Sequence, residues 1–347
     1  MRGRHRVTDI AAQAGLSRAT VDRVLHGRPG VRPETVTQVE RAIEELDRQR
    51  AQVELSGRPL ILDLVMQAPP RFAVASQQAL EAELRSLRPA VVRARSHLNE
   101  DSDPRAAAQA LDDVRRRGSH GVVLKAPDHP EVADAVDRVV GSGVPVVTFV
   151  TDVSGSRRAA YVGVDNRAAG ATAAYLVTRW AGTSGDVLVT LSSSSFRGEE
   201  ERETGFREAL ARLAPERRVV EVSGTDGRDA GVLAPALAAL RAHGGIDAVY
   251  SAGGGNDAIL EAFAAVGRDP TVFVVHDLDE DNRRLLRAHR VSAVLHHDLR
   301  GDLRRACRLL LQAGGRAPGA PTTRPSQIQV VTPFNEPPGL VDDRDDR

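Results

Sequence analysis

The sequence has few of the residues that build disulfide frameworks or metal sites. Among 347 residues there is one cysteine, Cys307, so no internal disulfide can form and a zinc finger would lack its ligands. We expect Cys307 to be a small core or surface residue of a helix. Aromatic residues make up 3% of the chain, and lysine occurs once, at Lys125, among 47 Lys and Arg residues. We interpret the shortage of lysine as a bias of genome composition without mechanistic meaning.

Long apolar runs and catalytic motifs are also missing. No segment predicts a membrane span. The basic start of the chain is followed by Thr8-Asp9 and not by the apolar run of a secretory signal. We therefore expect a cytoplasmic, nucleoid-associated protein. There is no G-x-S-x-G, H-E-x-x-H or G-x-x-x-x-G-K-[ST] motif, and the glycines 253–255 lack the spacing of a dinucleotide loop. The pair His296-His297 has no evident third ligand. We therefore expect no enzyme, no cofactor and no metal.

Two closely spaced helix-start signals open the chain. Thr8 is a predicted N-cap, Gly15 suits the end of a short helix, and Ser17 is the next predicted N-cap. Pro33 then opens a third helix. Two helices so closely joined indicate a helix-turn-helix. The apolar positions predicted to form its small core are Ile10, Ala11, Ala14, Val21, Val24, Leu25, Val36, Val39, Ile43 and Leu46.

The outer face of the second helix predicts contact with DNA. Arg18 and Ala19 stand at its N-terminal end, which meets base edges in the major groove. Residues 1–33 contain seven Arg against two acids, an excess of +5 in a chain of net charge +0, and clustered cations favour nucleic acid through counterion release. The alternative is a plain three-helix bundle with solvated arginines. The DNA-binding residues that we predict in this domain are Thr8, Ser17, Arg18, Ala19, Thr20, Asp22, Arg23 and Arg28.

A resemblance follows from these residues. The run from Val7 to Gly27, V-T-D-I-A-x-x-A-G-L-S-x-x-T-V-x-R-V-L-x-G, resembles the signature of the lactose-repressor (LacI) family of bacterial transcription regulators. The resemblance extends more loosely to about residue 331. It implies a homodimer on double-stranded operator DNA, with a small-molecule effector. Asp22 departs from the small Ser usual in the family, and it would either accept from a cytosine amino group or repel phosphate.

The segment that follows is polar. After a helix-turn-helix domain at 1–48, residues 49–59 indicate a hinge or linker. The resemblance implies that Leu55 is a leucine that wedges into the minor groove, since an apolar wedge can unstack a base step. The usual Pro-Asn before the hinge is absent here. A plain flexible linker is the alternative.

From residue 60 the chain alternates β-branched runs with helical segments, which predicts an α/β fold with parallel sheets. About eleven strands are too many for one compact sheet, so we expect two lobes. The resemblance implies a two-lobed, type I periplasmic-binding-protein-like core at 60–331, with lobe 1 at about 60–162 plus 297–323 and lobe 2 at about 164–292 plus 326–331. Residues 332–347 indicate a disordered acidic tail. The predicted strands are 60–66, 90–95, 121–125, 144–150, 160–164, 186–192, 218–223, 247–252, 271–276, 291–295 and 327–331.

Ligands in such sheets bind beyond the carboxyl ends of the strands. Residues at these places suit a sugar or polyol, because carboxylates and an Arg fork can bind adjacent hydroxyls while an aromatic side chain covers the apolar ring face. The resemblance implies an effector contact for Arg202, within R-x-x-G-[aromatic], and for Asp277. The alternatives are a surface position for Arg202, a helix cap for Asp277 and packing between lobes for Phe72. The predicted ligand-binding residues are Phe72, Asp152, Arg202, Asn256, Asp277 and His297.

The sequence as a whole predicts a DNA-binding transcription regulator, most typical of a repressor. A sugar or polyol bound between two lobes would control its affinity for the operator. The alternative is a solute-binding protein or sensor without operator-specific regulation.

Overall fold

A computed structural model describes residues 5–56, 59–88, 90–192, 196–225 and 227–337 of the chain, with the backbone alone for 48–56. Three helices come first, α1 (Val7–Ala14), α2 (Arg18–Leu25) and α3 (Pro33–Ser56). Gly15 ends α1 in the left-handed region, at φ 64°, and Ser17 Oγ accepts a hydrogen bond of 3.1 Å from Thr20 N at the start of α2. Both predictions are confirmed.

Two details of this helical unit differ from the predictions. Thr8 is not an N-cap, because α1 already begins at Val7 and its cap position is Arg6. Leu25 is 42% exposed rather than in the core, since α2 ends there and turns it away from the apolar cluster. The buried cluster consists of Ile10, Ala11, Ala14, Val21, Val39 and Ala42, with Val7, Leu16, Val24, Ile43 and Leu46 packed against it.

The predicted linker is helical over most of its length. α3 continues without interruption to Ser56, so that residues 49–56 extend the third helix of the bundle. At a rise of about 1.5 Å per residue, its 24 residues span roughly 36 Å. Leu55 falls in the last turn of α3, and its side chain lies outside the described residues.

The remaining chain forms two lobes, each with one sheet, as predicted. The first sheet is parallel throughout, in the order β2-β1-β3-β4-β5. The second has the order β11-β10-β9-β8-β6-β7, in which β11 is antiparallel to β10. The strands are β1 Leu60–Gln67, β2 Val92–Asn99, β3 Gly121–Lys125, β4 Val146–Phe149, β5 Ala160–Val162, β6 Asp186–Thr190, β7 Arg218–Val222, β8 Ile246–Ser251, β9 Val272–His276, β10 Ala293–His296 and β11 Gln329–Val331.

Helices cover both faces of each sheet, which explains why inner strands such as β3 and β6 are buried along their whole length. The helix α12 returns to pack on the first lobe, where Cys307 is buried. A 3₁₀ turn at Leu84–Leu87 follows α4. The helices of the two lobes are α4 Pro70–Glu83, α5 Pro104–Arg117, α6 Pro130–Gly141, α7 Asn166–Ala181, α8 Arg197–Leu213, α9 Asp229–Ala242, α10 Asn256–Ala265, α11 Glu280–Arg287 and α12 Leu299–Ala313.

The chain passes between the lobes near residues 163–165, 297–298 and 323–327, close to the lobe bounds that the resemblance implies. Val164 and Ser326 form a parallel bridge where two passages run side by side. Tyr161 Oη lies 3.1 Å from Val150 O and 3.0 Å from Val164 O. Tyr161 therefore packs against the same passage between the lobes.

The end of the described chain corrects another expectation. Residues 332–337 are not disordered, because Glu336 pairs with Arg283 and, at 2.9 Å, with Arg287 of α11. The rest of the predicted tail lies outside the described residues. In the described part of the chain, no helix is both long and apolar enough to cross a membrane.

Candidate functional site

A cavity of about 340 Å³ lies between the lobes, at the carboxyl ends of both sheets. This is the place that the sheet topology predicts for a ligand. Predicted residues Phe72, Arg202 and Asp277 line it, whereas Asp152, Asn256 and His297 do not. Its charged lining residues are Arg71, Glu100, Asp101, Lys125, Glu199, Arg202, Arg228, Asp277 and Asp279.

Arg202 is held in the cavity wall by the close approach of α7 and α8. A Cβ on Gly170 would lie 1.8 Å from Arg202 O, and one on Gly205 would lie 2.1 Å from Arg167 O, so these two glycines let the helix backbones touch. Arg202, 4% exposed, donates from Nε to Asn166 Oδ1 at 2.9 Å and from Nη1 to Ala252 O at 3.3 Å. The surface alternative for Arg202 is therefore wrong.

Asn166, the first residue of α7, contacts Arg202 and does not cap the helix. The cap of α7 is Asp165, which accepts from Ala168 N at 3.0 Å. Asn166 instead orients the guanidinium of Arg202, which faces the cavity.

Asp277 follows β9 in a left-handed backbone conformation, at φ 65°. Val150, which follows β4 in the other lobe, has φ 66° and also lines the cavity. Such conformations are costly for residues other than glycine and are concentrated at functional sites. The cap of α11 is Asp279, which accepts from Asn282 N at 2.9 Å, so the cap alternative for Asp277 is wrong.

His297 stands behind Asp277. Its Nε2 lies 3.8 Å from Asp277 Oδ1, and its Nδ1 lies 2.6 Å from Asp302 Oδ2. Because Asp302 holds the ring in the interior, His297 is 3% exposed and supports Asp277 without lining the cavity. His297 and Phe72 also border a neighbouring cavity of about 290 Å³.

Two further predicted ligand residues are engaged by other side chains. Asp152 pairs with Arg158 and accepts from Thr148 Oγ1 at 2.7 Å. Burial raises the pKa of Asp152, but these donors outweigh burial and hold its pKa below the usual range. Asn256 donates to Asn282 Oδ1 at 2.6 Å, and Asn282 in turn reaches the cavity. We withdraw Asp152 and Asn256 from the ligand-contacting set on this geometry.

Sequence reasoning missed Lys125, the one lysine of the chain. It ends the buried strand β3 and donates from Nζ to Gln67 O at 2.9 Å. Nζ also lies 4.0 Å from the ring centroid of Phe196 and 5.9 Å from that of Phe72. Burial lowers the pKa of Lys125 to about 8. The interpretation of the lysine shortage as composition bias therefore overlooked that the amine of this one lysine is part of the cavity wall.

Glu199 was missed because it belongs to a group of four acids within five residues, which is typical of a solvated helix surface. Its carboxylate accepts from Ser192 N at 2.7 Å and from Ser192 Oγ at 2.6 Å. Burial raises the pKa of Glu199, while the hydrogen bonds from Ser192 and the charges of Arg202 and Lys125 oppose the shift.

Arg71 and Arg228 each form an ion pair across the lobes at the rim of the cavity. Arg71 Nε lies 2.8 Å from Asp279 Oδ2, and Arg228 Nη2 lies 3.2 Å from Glu100 Oε2. We call these the rim pairs. Burial raises the pKa of Asp279 to about 6, although Arg71 opposes the shift. The rim pairs hold the lobes together over the cavity.

His276 forms a polar part of the cavity wall, and the fully buried Tyr250 lies behind it. Its Nε2 lies 2.8 Å from Tyr250 Oη, and Tyr250 stacks on Phe206 with ring centroids 4.6 Å apart. Burial lowers the pKa of His276 well below its usual value, so the ring is neutral.

The predicted DNA-binding face is exposed on α2. Arg18, Ala19 and Arg23 are solvent-accessible, which a reading face requires. Asp22 lies 3.1 Å from His26 Nδ1 and 3.3 Å from Arg28 Nη1. The charge of the acid is therefore partly neutralised by Arg28.

The fold and the cavity define a class of two-lobed binding proteins, here joined to a helix-turn-helix. Residues 65–316 match the model of the periplasmic binding protein domain, and the chain belongs to that family. Residues 6–49 match the model of bacterial regulatory proteins of the lacI family. The chain thus combines a lacI-type helix-turn-helix with a periplasmic-binding-protein domain.

Known proteins with similar sequences and folds agree with this assignment. The chain is 33% identical over 173 residues to the HTH-type transcriptional regulator reg1 of Streptomyces lividans, a match that covers 47% of each chain. The chain therefore spans about half the length of this curated relative. GanP, a glucose-galactose binding protein from Geobacillus stearothermophilus, has a TM-score of 0.73 at 17% identity, over 81% of this chain and 99% of its own. A solute-binding protein from Burkholderia graminis, solved with D-arabinose, has a TM-score of 0.73 at 21% identity, over 81% and 97%.

Proposed function

We propose that this protein is a DNA-binding transcription regulator, acting as a repressor, whose affinity for operator DNA is controlled by a small hydroxylated molecule. The observation that carries the proposal is the presence, in one chain, of an exposed reading helix and a polar cavity between two lobes. The lacI-type match over 6–49 and the regulator reg1 support the DNA-binding part. The fold shared with glucose-, galactose- and arabinose-binding proteins supports a sugar or polyol as the effector. The protein is a cytoplasmic, non-enzymatic homodimer in this proposal.

In this mechanism the angle between the lobes couples the cavity to the helix-turn-helix. An effector that fits the cavity favours the lobe arrangement closed by the rim pairs. Three residues separate the end of the long helix α3 from β1, so a change in lobe angle moves α3 and, with it, the helix-turn-helix. Thermodynamic linkage requires the reverse as well, so operator DNA changes effector affinity by the same factor. In a homodimer the two reading helices meet half-sites about one helical turn apart.

Leu55 is part of the proposed coupling. Placed in the last turn of α3, it would enter the minor groove between the two subunits and bend the operator. Leu55→Ala is expected to reduce the DNA bend, measured by energy transfer between dyes on the operator ends. Leu213→Ala, an exposed leucine of the second lobe, is the control. An unchanged bend would leave residues 49–56 as a plain connector.

Selection of bound DNA from a random pool, with and without a panel of sugars and polyols, tests the proposal. We expect a pseudo-palindromic site whose recovery changes with at least one panel member. A protein that binds sugar but selects no sequence would be a solute-binding protein or sensor. A selected site that no panel member affects would contradict allosteric control by this class of effector.

A further inference from the structure

A chain of hydrogen bonds runs from the cavity to the first passage between the lobes, at 163–165, and it reaches the hydroxyl of Tyr161. Arg202 Nε lies 2.9 Å from Asn166 Oδ1, and Asn166 Nδ2 lies 3.2 Å from Tyr161 Oη. Since Arg202 Nε can only donate, Asn166 presents its oxygen to Arg202 and its amino group to Tyr161. The direction of the chain is therefore fixed, and the hydroxyl of Tyr161 accepts from Asn166.

The same hydroxyl has one proton for two backbone oxygens. Val150 O lies 3.1 Å from Tyr161 Oη, and Val164 O lies 3.0 Å from it. Burial raises the pKa of Tyr161, so the hydroxyl keeps the proton that it donates. Because a hydroxyl donates a single hydrogen, the two carbonyl groups share it in this arrangement and compete for it when they move apart.

The partners of Tyr161 belong to parts of the chain that move differently when the angle between the lobes changes. Val150 follows β4 in the first lobe and lines the cavity. Val164 lies in the passage to the second lobe, where it forms a bridge with Ser326. Tyr161 is part of β5 in the first lobe, whereas Asn166 begins α7 of the second lobe. A change in lobe angle therefore alters the distances from Tyr161 Oη to Val164 O and to Asn166 Nδ2.

Gly163 leaves the space in which the ring of Tyr161 lies against the passage. A Cβ on Gly163 would overlap Tyr161 Oη and would lie 2.7 Å from Tyr161 Cζ, closer than non-bonded carbon atoms approach. The backbone N–H of Tyr161 also donates to Thr323 Oγ1 at 3.0 Å, in the third passage. Tyr161 thus contacts two of the three passages, and the small residue beside it allows its hydroxyl to reach them.

From this arrangement we propose that Tyr161 is a positioning residue that makes effector affinity depend on the angle between the lobes. Tyr161 holds Asn166, and Asn166 in turn holds the guanidinium of Arg202 toward the cavity. When the lobe angle changes, Asn166 moves away from Tyr161 and loses this support, so Arg202 binds the effector less well. Such a difference in affinity between two arrangements is what allosteric control requires. The inference deepens the proposed function and rests on it.

Operator affinity at saturating effector tests this role, because it separates two kinds of loss. A variant that binds effector more weakly in both lobe arrangements needs more effector but reaches the same final operator affinity. A variant that has lost the dependence on lobe angle reaches a smaller final change. Fluorescence anisotropy of the full-length protein measures this change on the operator selected from the random pool. The probes are D-glucose, D-galactose, D-arabinose, D-fructose and D-allose, each raised until operator affinity no longer changes.

Two variants alter the hydroxyl in different ways. Tyr161→Phe removes it and keeps the ring, and we expect the final change in operator affinity to be about three- to tenfold smaller, as for the loss of one hydrogen bond. Gly163→Ala keeps the hydroxyl but displaces it, and it should reduce the change in the same direction. Tyr175→Phe, the same substitution at a tyrosine of α7 that is 52% exposed, is the matched control and should respond like the natural protein.

A spectroscopic measurement needs no effector. The chain has three tyrosines, so incorporation of fluorotyrosine gives three fluorine NMR resonances, and Tyr161→Phe identifies the one that belongs to Tyr161. Operator DNA should shift this resonance more than an unrelated duplex of the same length, because linkage lets operator change the lobe angle and hence the partners of Tyr161 Oη. The resonance of the exposed Tyr175 should stay in place.

The outcomes distinguish a failure of the inference from a failure of the proposed function. If the natural protein responds to a sugar and Tyr161→Phe reaches the same final operator affinity, the inference is wrong and the proposed function stands. An equal reduction in Tyr161→Phe and Tyr175→Phe would also overturn the inference. A natural protein whose operator affinity no probe changes would contradict the proposed function. An unshifted Tyr161 resonance on operator binding would contradict the inference independently of any sugar.

Discussion

The helix-turn-helix and the cavity both present cationic side chains, but they expose them to solvent to different extents. Arg18 and Arg23 project from α2 into solvent, whereas Arg202 and Lys125 are 4% and 9% exposed. Exposed cations act through a field that salt screens, and buried cations act through short contacts in a medium of low dielectric constant. The same residue type is thus suited to a polyanion on one surface and to a small ligand in the interior. Substitutions at the two places should have separable consequences.

The largest expected effect is that of Arg202→Ala. Removing a buried, doubly hydrogen-bonded guanidinium should weaken effector binding by roughly 30-fold or more, since such losses are about 2–5 kcal/mol. Operator affinity without effector should stay unchanged, as measured by fluorescence anisotropy. Arg212→Ala, at an exposed position of the same helix, is the control. Equal loss of effector response in both variants would remove Arg202 from the site.

Arg18→Ala should have the next largest effect, and on the other function. We expect operator binding to weaken by about 1–3 kcal/mol with relaxed base choice, because an arginine at a base edge supplies both affinity and discrimination. Operator affinity should fall steeply with salt, whereas the affinity for a neutral ligand should not. An Arg18→Ala protein with unaltered sequence preference would show that the reading face lies elsewhere on α2.

A pH titration examines the buried cation by itself. Burial lowers the pKa of Lys125 from 10.5 to about 8, so the amine is charged below pH 8 and loses its proton as the pH rises above it. Affinity for an effector that accepts a hydrogen bond from the Lys125 ammonium should therefore fall above pH 8, by at most about tenfold per pH unit. In Lys125→Arg this decline should vanish, because arginine stays charged. A decline of equal size in both proteins would assign it to another group.

The rim pairs should give the smallest effects, and the two pairs should differ. Asp279 is 9% exposed and its pair with Arg71 is largely shielded, whereas Arg228 and Glu100 are 40% and 59% exposed. Exposed pairs contribute about 0–1 kcal/mol. Arg228→Ala should thus change effector affinity by less than about fivefold, and Arg71→Ala by more. A reversed order would mean that the Arg228 side of the rim holds the lobes together.

Local sequence patterns predicted the helix-turn-helix and the two lobes, because each helix or strand signal lies within a few neighbouring residues. Gly15 and Ser17 fix the turn between α1 and α2, and alternating strands and helices fix two parallel sheets. Arg202 and Asp277 were predicted from the resemblance to a family. The environment of Lys125 could not be predicted, because Phe196 and Glu199 reach it from the other lobe. Likewise, the rim pairs and the burial of Asp152 by Arg158 depend on distances that no sequence pattern contains.

The two left-handed residues at the cavity have a consequence for the rate of binding. Val150 and Asp277 each fix the chain just after an interior strand, one in each lobe, so both walls are shaped when the protein folds. A ligand then needs only lobe closure and no rebuilding of loops. Different ligands should accordingly associate at similar rates and differ mainly in how long they stay bound. In stopped-flow experiments, Val150→Gly should lengthen the association phase for every ligand, because it frees one wall before encounter.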